Sequence, residues 1–224
     1  MAHRTRIKIC GITRPQDALL SEQLGADAVG FVFVHESQRY VKPETAHELD
    51  QLLAPFISRV GLFLDQPQDE IETVLQLVPN MVPQFHGKES PEQCERLFDR
   101  FRIPYIKAIG LGSGMPLKAI FDEYENAGAF LFDSNEPGEL GGTGHVFDWR
   151  KLDSYTGKPM ILAGGLHQEN VASAIQQTRP YAIDVSSGVE ASKGMKDAVA
   201  MRAFFDAARH ADAVAADVAA GVAD

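Results

Sequence analysis

The feature that most constrains this chain is a rhythm. Eight short apolar runs recur about 25 residues apart, and each is followed by a helix-like stretch. The runs are Arg6–Cys10, Ala28–Phe33, Arg59–Leu64, Met81–Phe85, Tyr105–Ile109, Ala129–Asp133, Met160–Ala163 and Tyr181–Val185. Ala28-Val29-Gly30-Phe31-Val32-Phe33 is nearly continuous in apolar residues, as a parallel strand buried on both faces should be. Pro15, Pro43, Pro67 and Ser90-Pro91 stand where the intervening helices should open, and Gly25 where the first should close. Strands alternating with helices imply a parallel sheet. Eight such units in 224 residues imply an α/β chain folded as one single-domain (β/α)8 TIM barrel. An open doubly wound sheet is the runner-up, and no linker supports two domains. The barrel is expected over residues 1–210. Ala211–Asp224, rich in Ala, Val and Asp, reads as an Ala-rich C-terminal extension, a frayed helix or a tail, with no assigned function.

Charge narrows the function classes. A net charge of -10 and a pI near 5.1 argue against nucleic acid as a partner, while leaving room for a local basic pocket. The two cysteines, Cys10 and Cys94, match no metal or CxxC spacing, and the histidines form no ligand set, so no metal is expected. No signal peptide and no membrane-spanning run is visible, so a cytoplasmic protein without a membrane partner is expected.

In a barrel, residues at the C-terminal ends of the strands line one mouth. Here they are Cys10, Gln84 with His86, Asp133, Gly164-Gly165, Asp184 and Ser186-Ser187-Gly188, with Arg39 on the loop after the second strand. Cys10 alone reads first as a buried packing residue, and the rest of the chain reverses that reading; Lys8 shares its face of the strand. An interior Lys8 needs a counter-charge, from Asp184 or Asp133, and should lower the thiol pKa. Cys10 and Asp133, on strands one and six, can flank a substrate so that one takes a proton and the other gives one. Two Gly-containing turns after strands seven and eight, with Gly164, Gly165, Ser187 and Gly188, suit a phosphate. His86 is either a substrate ligand or a donor holding its turn. Gly141-Gly142-Thr143-Gly144 lacks the ending of a P-loop, and Gly110–Gly114 misses the dinucleotide spacing. Ser134–Val146 has the length and placement of a lid.

Several segments together resemble the phosphoribosylanthranilate isomerase family of tryptophan biosynthesis. They are Lys8-Ile9-Cys10-Gly11-Ile12-Thr13, Ser37-Gln38-Arg39-Tyr40-Val41, Gln84-Phe85-His86-Gly87, Gly141-Gly142-Thr143-Gly144, Leu162-Ala163-Gly164-Gly165-Leu166 and Asp184-Val185-Ser186-Ser187-Gly188-Val189-Glu190. The resemblance implies an Amadori rearrangement of a phosphorylated small molecule, with Asp133 as general acid, Cys10 as general base and no cofactor. It implies that Arg39 meets the anthranilate carboxylate, that His86, Gly142 and Asp184 also meet substrate, and that Gly164, Gly165, Ser187 and Gly188 hold the phosphate. Pro83 and Phe85 depart from the family's usual fourth strand. The alternatives are a barrel isomerase for the histidine-pathway aminoaldose and a sugar-phosphate-binding barrel without catalysis. Monomer and homodimer both remain open.

Overall fold

Every expected strand forms, and the eight close on themselves. The computed structural model describes residues 4–110, 117–134, 148–152 and 155–221. The barrel strands are β1 (Arg6–Cys10), β2 (Ala28–Val32), β3 (Ser58–Phe63), β4 (Val82–Phe85), β5 (Tyr105–Gly110), β6 (Ala127–Asp133), β7 (Met160–Leu162) and β8 (Ala182–Val185). They pair in parallel in sequence order, and β1 pairs with β8 to complete the ring. Outside it lie α1 (Pro15–Gln23), α2 (Pro43–Asp50), α3 (Gln68–Leu77), α4 (Pro91–Phe101), α5 (Leu117–Glu123), α6 (Val171–Thr178) and α7 (Ala198–Gly221). Local chemistry sets the helix starts. Pro opens α1 and α2, where its missing N–H costs nothing, and Ser90 with Gln93 forms a reciprocal capping box on α4.

Two apolar layers follow from strand alternation. Small and branched side chains fill the barrel interior, among them Val60, Ile106, Ala108, Leu131, Ile161 and Ala182. Larger ones, including Phe31, Phe63, Phe85 and Phe130, point outward and pack under the helices. Pro83 and Phe85 leave β4 in register with β3, through Gly61↔Pro83 and Phe63↔Phe85. Pro83 has no N–H to donate, and pairing with β5 begins only at Gln84↔Ile106. Phe85 joins an aromatic row with Phe63 and Tyr105.

The barrel departs from a regular repeat in two places. Between β6 and β7 the described residues show a 3₁₀ turn at Trp149–Leu152. After β8 comes another 3₁₀ turn, Ser187–Val189, then a hairpin of β9 (Glu190–Ser192) and β10 (Met195–Lys196). The boundary expected at residue 211 falls inside α7, which runs through it unbroken. Ala211 is fully buried, and Asp212 accepts hydrogen bonds from the backbone N–H and hydroxyl of Thr5. Among the described residues no helix is long and apolar enough to cross a membrane.

Candidate active site

Strand alternation and register bring the expected chemistry to one end of the barrel. Lys8 lies beside Asp184 across the β1–β8 seam, and Cys10 beside Gly30 on β2. The mouth opens on a cavity of about 410 Å³ lined by Cys10, Arg39, Gln84, His86, Asp133, Gly164, Gly165, Asp184, Ser186 and Ser187, with Lys193 at its rim. Gly188 does not line this cavity. A Cβ there would collide with the Leu166 carbonyl, so its missing side chain serves close packing of the two loops. Gly142 and nearly all of the expected lid lie outside the described residues, as do residues 111–116.

Space around Cys10 is made by glycine. A Cβ on Gly30 would stand 2.9 Å from the Cys10 Sγ and 3.2 Å from the Lys8 Nζ. Gly11, at φ +77, turns the chain at the end of β1, and a Cβ there would meet the Arg39 Cδ at 2.6 Å. Adding a side chain at either glycine would push a functional group out of place.

Lys8 is 3% exposed and donates to the Asp184 Oδ1 at 2.9 Å, so Asp184 supplies its counter-charge. Burial works against the Lys8 ammonium, but Asp184 and Cys10 outweigh it and hold its pKa above the ordinary lysine value. The Cys10 thiol goes the other way from the expectation. Lys8 does pull its pKa down, yet burial and the Asp184 charge prevail, and the net shift is upward.

Opposite Cys10, Gln84 and His86 share the inner face of the fourth strand's end. The Gln84 amide donates to the His86 Nδ1 at 3.1 Å. With Nδ1 accepting, the neutral ring carries its proton on Nε2, which lies 3.9 Å from the Asp133 Oδ2. Burial lowers the His86 pKa, so neutrality is its resting state. Two polar atoms in this lining, Gln84 Oε1 and Ser186 Oγ, are buried with no hydrogen-bond partner among the described residues. An orphan acceptor or hydroxyl in a cavity wall is a place for a ligand's polar group.

Arg39 is the surprise of the site. Its Nε and Nη2 donate to the two oxygens of Glu190 at 2.9 and 2.8 Å, a bidentate pair bridging two loops. Lys196, on β10, donates to the same carboxylate at 2.8 Å and to the Ser186 carbonyl at 3.1 Å. Nothing local in the sequence marks Lys196. It sits in Gly194-Met195-Lys196-Asp197, where a lone lysine reads as solvent-facing. Cys94, by contrast, is packing only: burial pushes its thiol up to about 12. Among the described residues, no group of three or more His, Cys, Asp or Glu could hold a metal.

This geometry can bind an anion, move a proton at a thiol and move another at a carboxylate across one cavity. Known proteins with the same architecture are close in sequence. Residues 7–207 match the family model described as N-(5'-phosphoribosyl)anthranilate (PRA) isomerase. The N-(5'-phosphoribosyl)anthranilate isomerase of Nitrosococcus oceani is 48% identical over 201 residues, covering 90% of this chain and 96% of that protein. That of Leptothrix cholodnii is 44% identical over 97% of both. The crystal structure of the Thermus thermophilus phosphoribosyl anthranilate isomerase superposes with a TM-score of 0.80 at 41% identity, covering 91% of this chain and 98% of that one. A further isomerase structure, solved in complex with reduced 1-(o-carboxyphenylamino)-1-deoxyribulose 5-phosphate, has a TM-score of 0.78 at 38% identity and covers 92% of this chain and 99% of that one. The chain therefore belongs to the N-(5'-phosphoribosyl)anthranilate isomerase family.

Proposed function

We propose that this protein converts N-(5'-phosphoribosyl)anthranilate to 1-(o-carboxyphenylamino)-1-deoxyribulose 5-phosphate, with Asp133 as general acid and Cys10 as general base. The observation that carries the reading is that Cys10 and Asp133 face a single cavity from opposite sides of a closed barrel. In the proposed sequence, the Asp133 carboxyl gives its proton to the ribose ring oxygen. The C1'–O bond breaks and the anilino nitrogen becomes an iminium, which draws electron density from C2'. The Cys10 thiolate then takes the C2' proton, leaving an enolamine whose hydroxyl loses a proton as C1' gains one. The product is the ketose. The iminium is the electron sink, so the reaction calls for no cofactor.

The raised Cys10 pKa means that its proton must leave before it acts, and three cations ease that loss. Lys8 pulls hardest, then Lys196, while the Arg39 charge also interacts with the thiolate. Neutral His86 presents its Nε2 proton toward Asp133, a geometry suited to holding the carboxylate that remains after proton transfer. Arg39 keeps Nη1 for the anthranilate carboxylate. Gly164, Gly165 and Ser187 would take the phosphate, with the orphan Ser186 hydroxyl beside them, and Gly188 would serve by letting the loops after β7 and β8 pack closely. Asp184 would hold Lys8 and meet the ribose hydroxyls. The protein would work in the cytoplasm, as a monomer or homodimer.

Loss of substrate fluorescence on adding purified protein tests the reading. Cys10→Ala and Asp133→Ala should each lower kcat by about 10²–10⁴-fold, the usual weight of a positioned acid or base. Near-wild-type turnover in either variant would remove that residue's role. A folded wild-type protein that binds the substrate without turnover would make it a binding barrel.

A further inference from the structure

We propose that Lys196, which never touches the cavity, sets the preference of this site for a carboxylated substrate. It does so by sharing the Glu190 carboxylate with Arg39. The inference rests on the isomerase reading above and goes beyond it, by assigning a specificity role to a residue outside the lining.

The argument begins with charge balance. Arg39 and Glu190 alone would be a closed bidentate pair, one plus and one minus, with little pull on a further anion. Lys196 adds a second cation to the same carboxylate. Glu190 Oε1 accepts from both Arg39 Nε and Lys196 Nζ. Burial pulls the Lys196 pKa down while the Glu190 carboxylate beside it pulls it up, and with Lys196 protonated the three groups carry one net positive charge. It lies in a poorly solvated place: the Lys196 side chain is 0% exposed, that of Glu190 3% and that of Arg39 10%. An unbalanced buried cation is costly until an anion arrives. Cys10, mostly thiol at neutral pH, gives the cluster no standing counter-charge, and of the three groups only Arg39 faces the cavity, so an anionic group of a ligand there completes the balance. The exposed rim Lys193 is well hydrated and screened, and adds little to this field.

Lys196 is also held in place, as a positioning residue must be. Its backbone N–H donates to the Asp17 Oδ2 at 3.1 Å, and its carbonyl accepts from Arg14 at 3.1 Å. Arg14 and Asp17 are themselves paired on α1. Thr13, at the end of the β1–α1 loop, donates to the Gly194 carbonyl at 2.5 Å. The first βα unit thereby anchors the hairpin that carries the second cation.

Calorimetric binding of two ligands tests this. One is reduced 1-(o-carboxyphenylamino)-1-deoxyribulose 5-phosphate, and the other is the same molecule without the ring carboxylate. Both carry the phosphate, so only the carboxylate distinguishes them. Wild type should prefer the carboxylated ligand by at least about tenfold, an ordinary worth for a desolvated charge-assisted contact. Lys196→Met leaves Arg39 and Glu190 as a balanced pair, and should cut that preference to about threefold or less while leaving the other ligand's affinity unchanged. Lys196→Arg should keep most of the preference. Lys196→Gln decides between charge and scaffold, and serves if the Met variant fails to fold: it can still donate to the Ser186 carbonyl, yet should lose the preference as Met does. A Gln variant with wild-type preference, or one that weakens both ligands equally, overturns the proposal. If wild type neither binds nor turns over its substrate, the isomerase reading itself fails. If it does both and the ratio survives Lys196→Gln, only the Lys196 role falls.

Discussion

At Cys10, burial and charge compete, and the outcome can be read out chemically. Burial raises the thiol pKa while Lys8 and Lys196 lower it. The thiolate is the reactive form toward alkylating agents, so its fraction sets the rate. With the pKa above its ordinary value, Cys10 is mostly thiol at neutral pH. Its alkylation by iodoacetamide should therefore be slow at pH 7 and rise steadily with pH. Replacing Lys8 by Met removes the largest opposing influence and drives the pKa higher still. Lys8→Met, which leaves the Asp184 charge pushing in the same direction, should slow Cys10 alkylation at pH 7 by at least about tenfold, and adding Asp184→Asn should restore part of the rate. Peptide mass mapping distinguishes Cys10 from the inert Cys94. An unchanged or faster rate would mean that Lys8 does not govern the thiol. That Lys8 and Cys10 share a face was legible from strand alternation. That burial outweighs the cation was not, because depth in a closed barrel depends on all eight strands. Nor was the Arg39–Glu190 pair, whose partners stand 151 residues apart and meet only when the loops after β2 and β8 converge.

Between strands and helices, a second buried ion pair governs how the β4–α4 loop presents His86. Lys107 points outward from β5 and donates to Glu89 Oε2 at 2.9 Å and to the Gly87 carbonyl at 2.7 Å. Glu89 Oε1 accepts from the backbone N–H groups of Asp65 and Gly87, tying the loops after β3 and β4 together. Both side chains are 4% exposed. Lys107→Met would leave Glu89 charged and unpaired, at a cost of about 3–5 kcal/mol. For a domain of this size that is a fall in Tm of about 6–20 °C by thermal unfolding. Adding Glu89→Gln keeps the acceptor for Asp65 and Gly87 without the charge, and should recover at least about half of the loss. A double variant no more stable than Lys107→Met would show that the pair is not coupled. The elements around this clamp were readable because buried parallel strands form apolar runs and Pro or Gly marks the turns. The β9–β10 hairpin was hidden, since strands of three and two residues leave no periodicity to detect.

For the molecule as a whole, the closing problem of a barrel is to join its last unit to its first. Pairing of β1 with β8 does this inside, and α7 does it outside. Composition alone made residues 211–224 look like an appendage, because Ala and Val carry no sign of what they touch. The helix instead packs Ala208 and Ala211 fully into the outer core, and Asp212 reaches Thr5, itself 2% exposed, just before β1. Asp212 thus works as a clasp between the two ends of the ring, and the useful boundary lies beyond it. A chain ending at His210 loses the clasp and leaves the Thr5 N–H and hydroxyl without their acceptor, at about 1–3 kcal/mol. Its Tm should drop by about 2–12 °C. A chain ending at Ala216 keeps Ala211 and Asp212 and should unfold within about 0.5 kcal/mol of the full protein. Asp212→Ala in the full chain separates the clasp from the lost helix: it should reproduce most of the His210 effect in a urea titration. If instead Asp212→Ala is neutral while the His210 truncation is costly, the stabilisation comes from apolar packing along α7 and not from the link to Thr5.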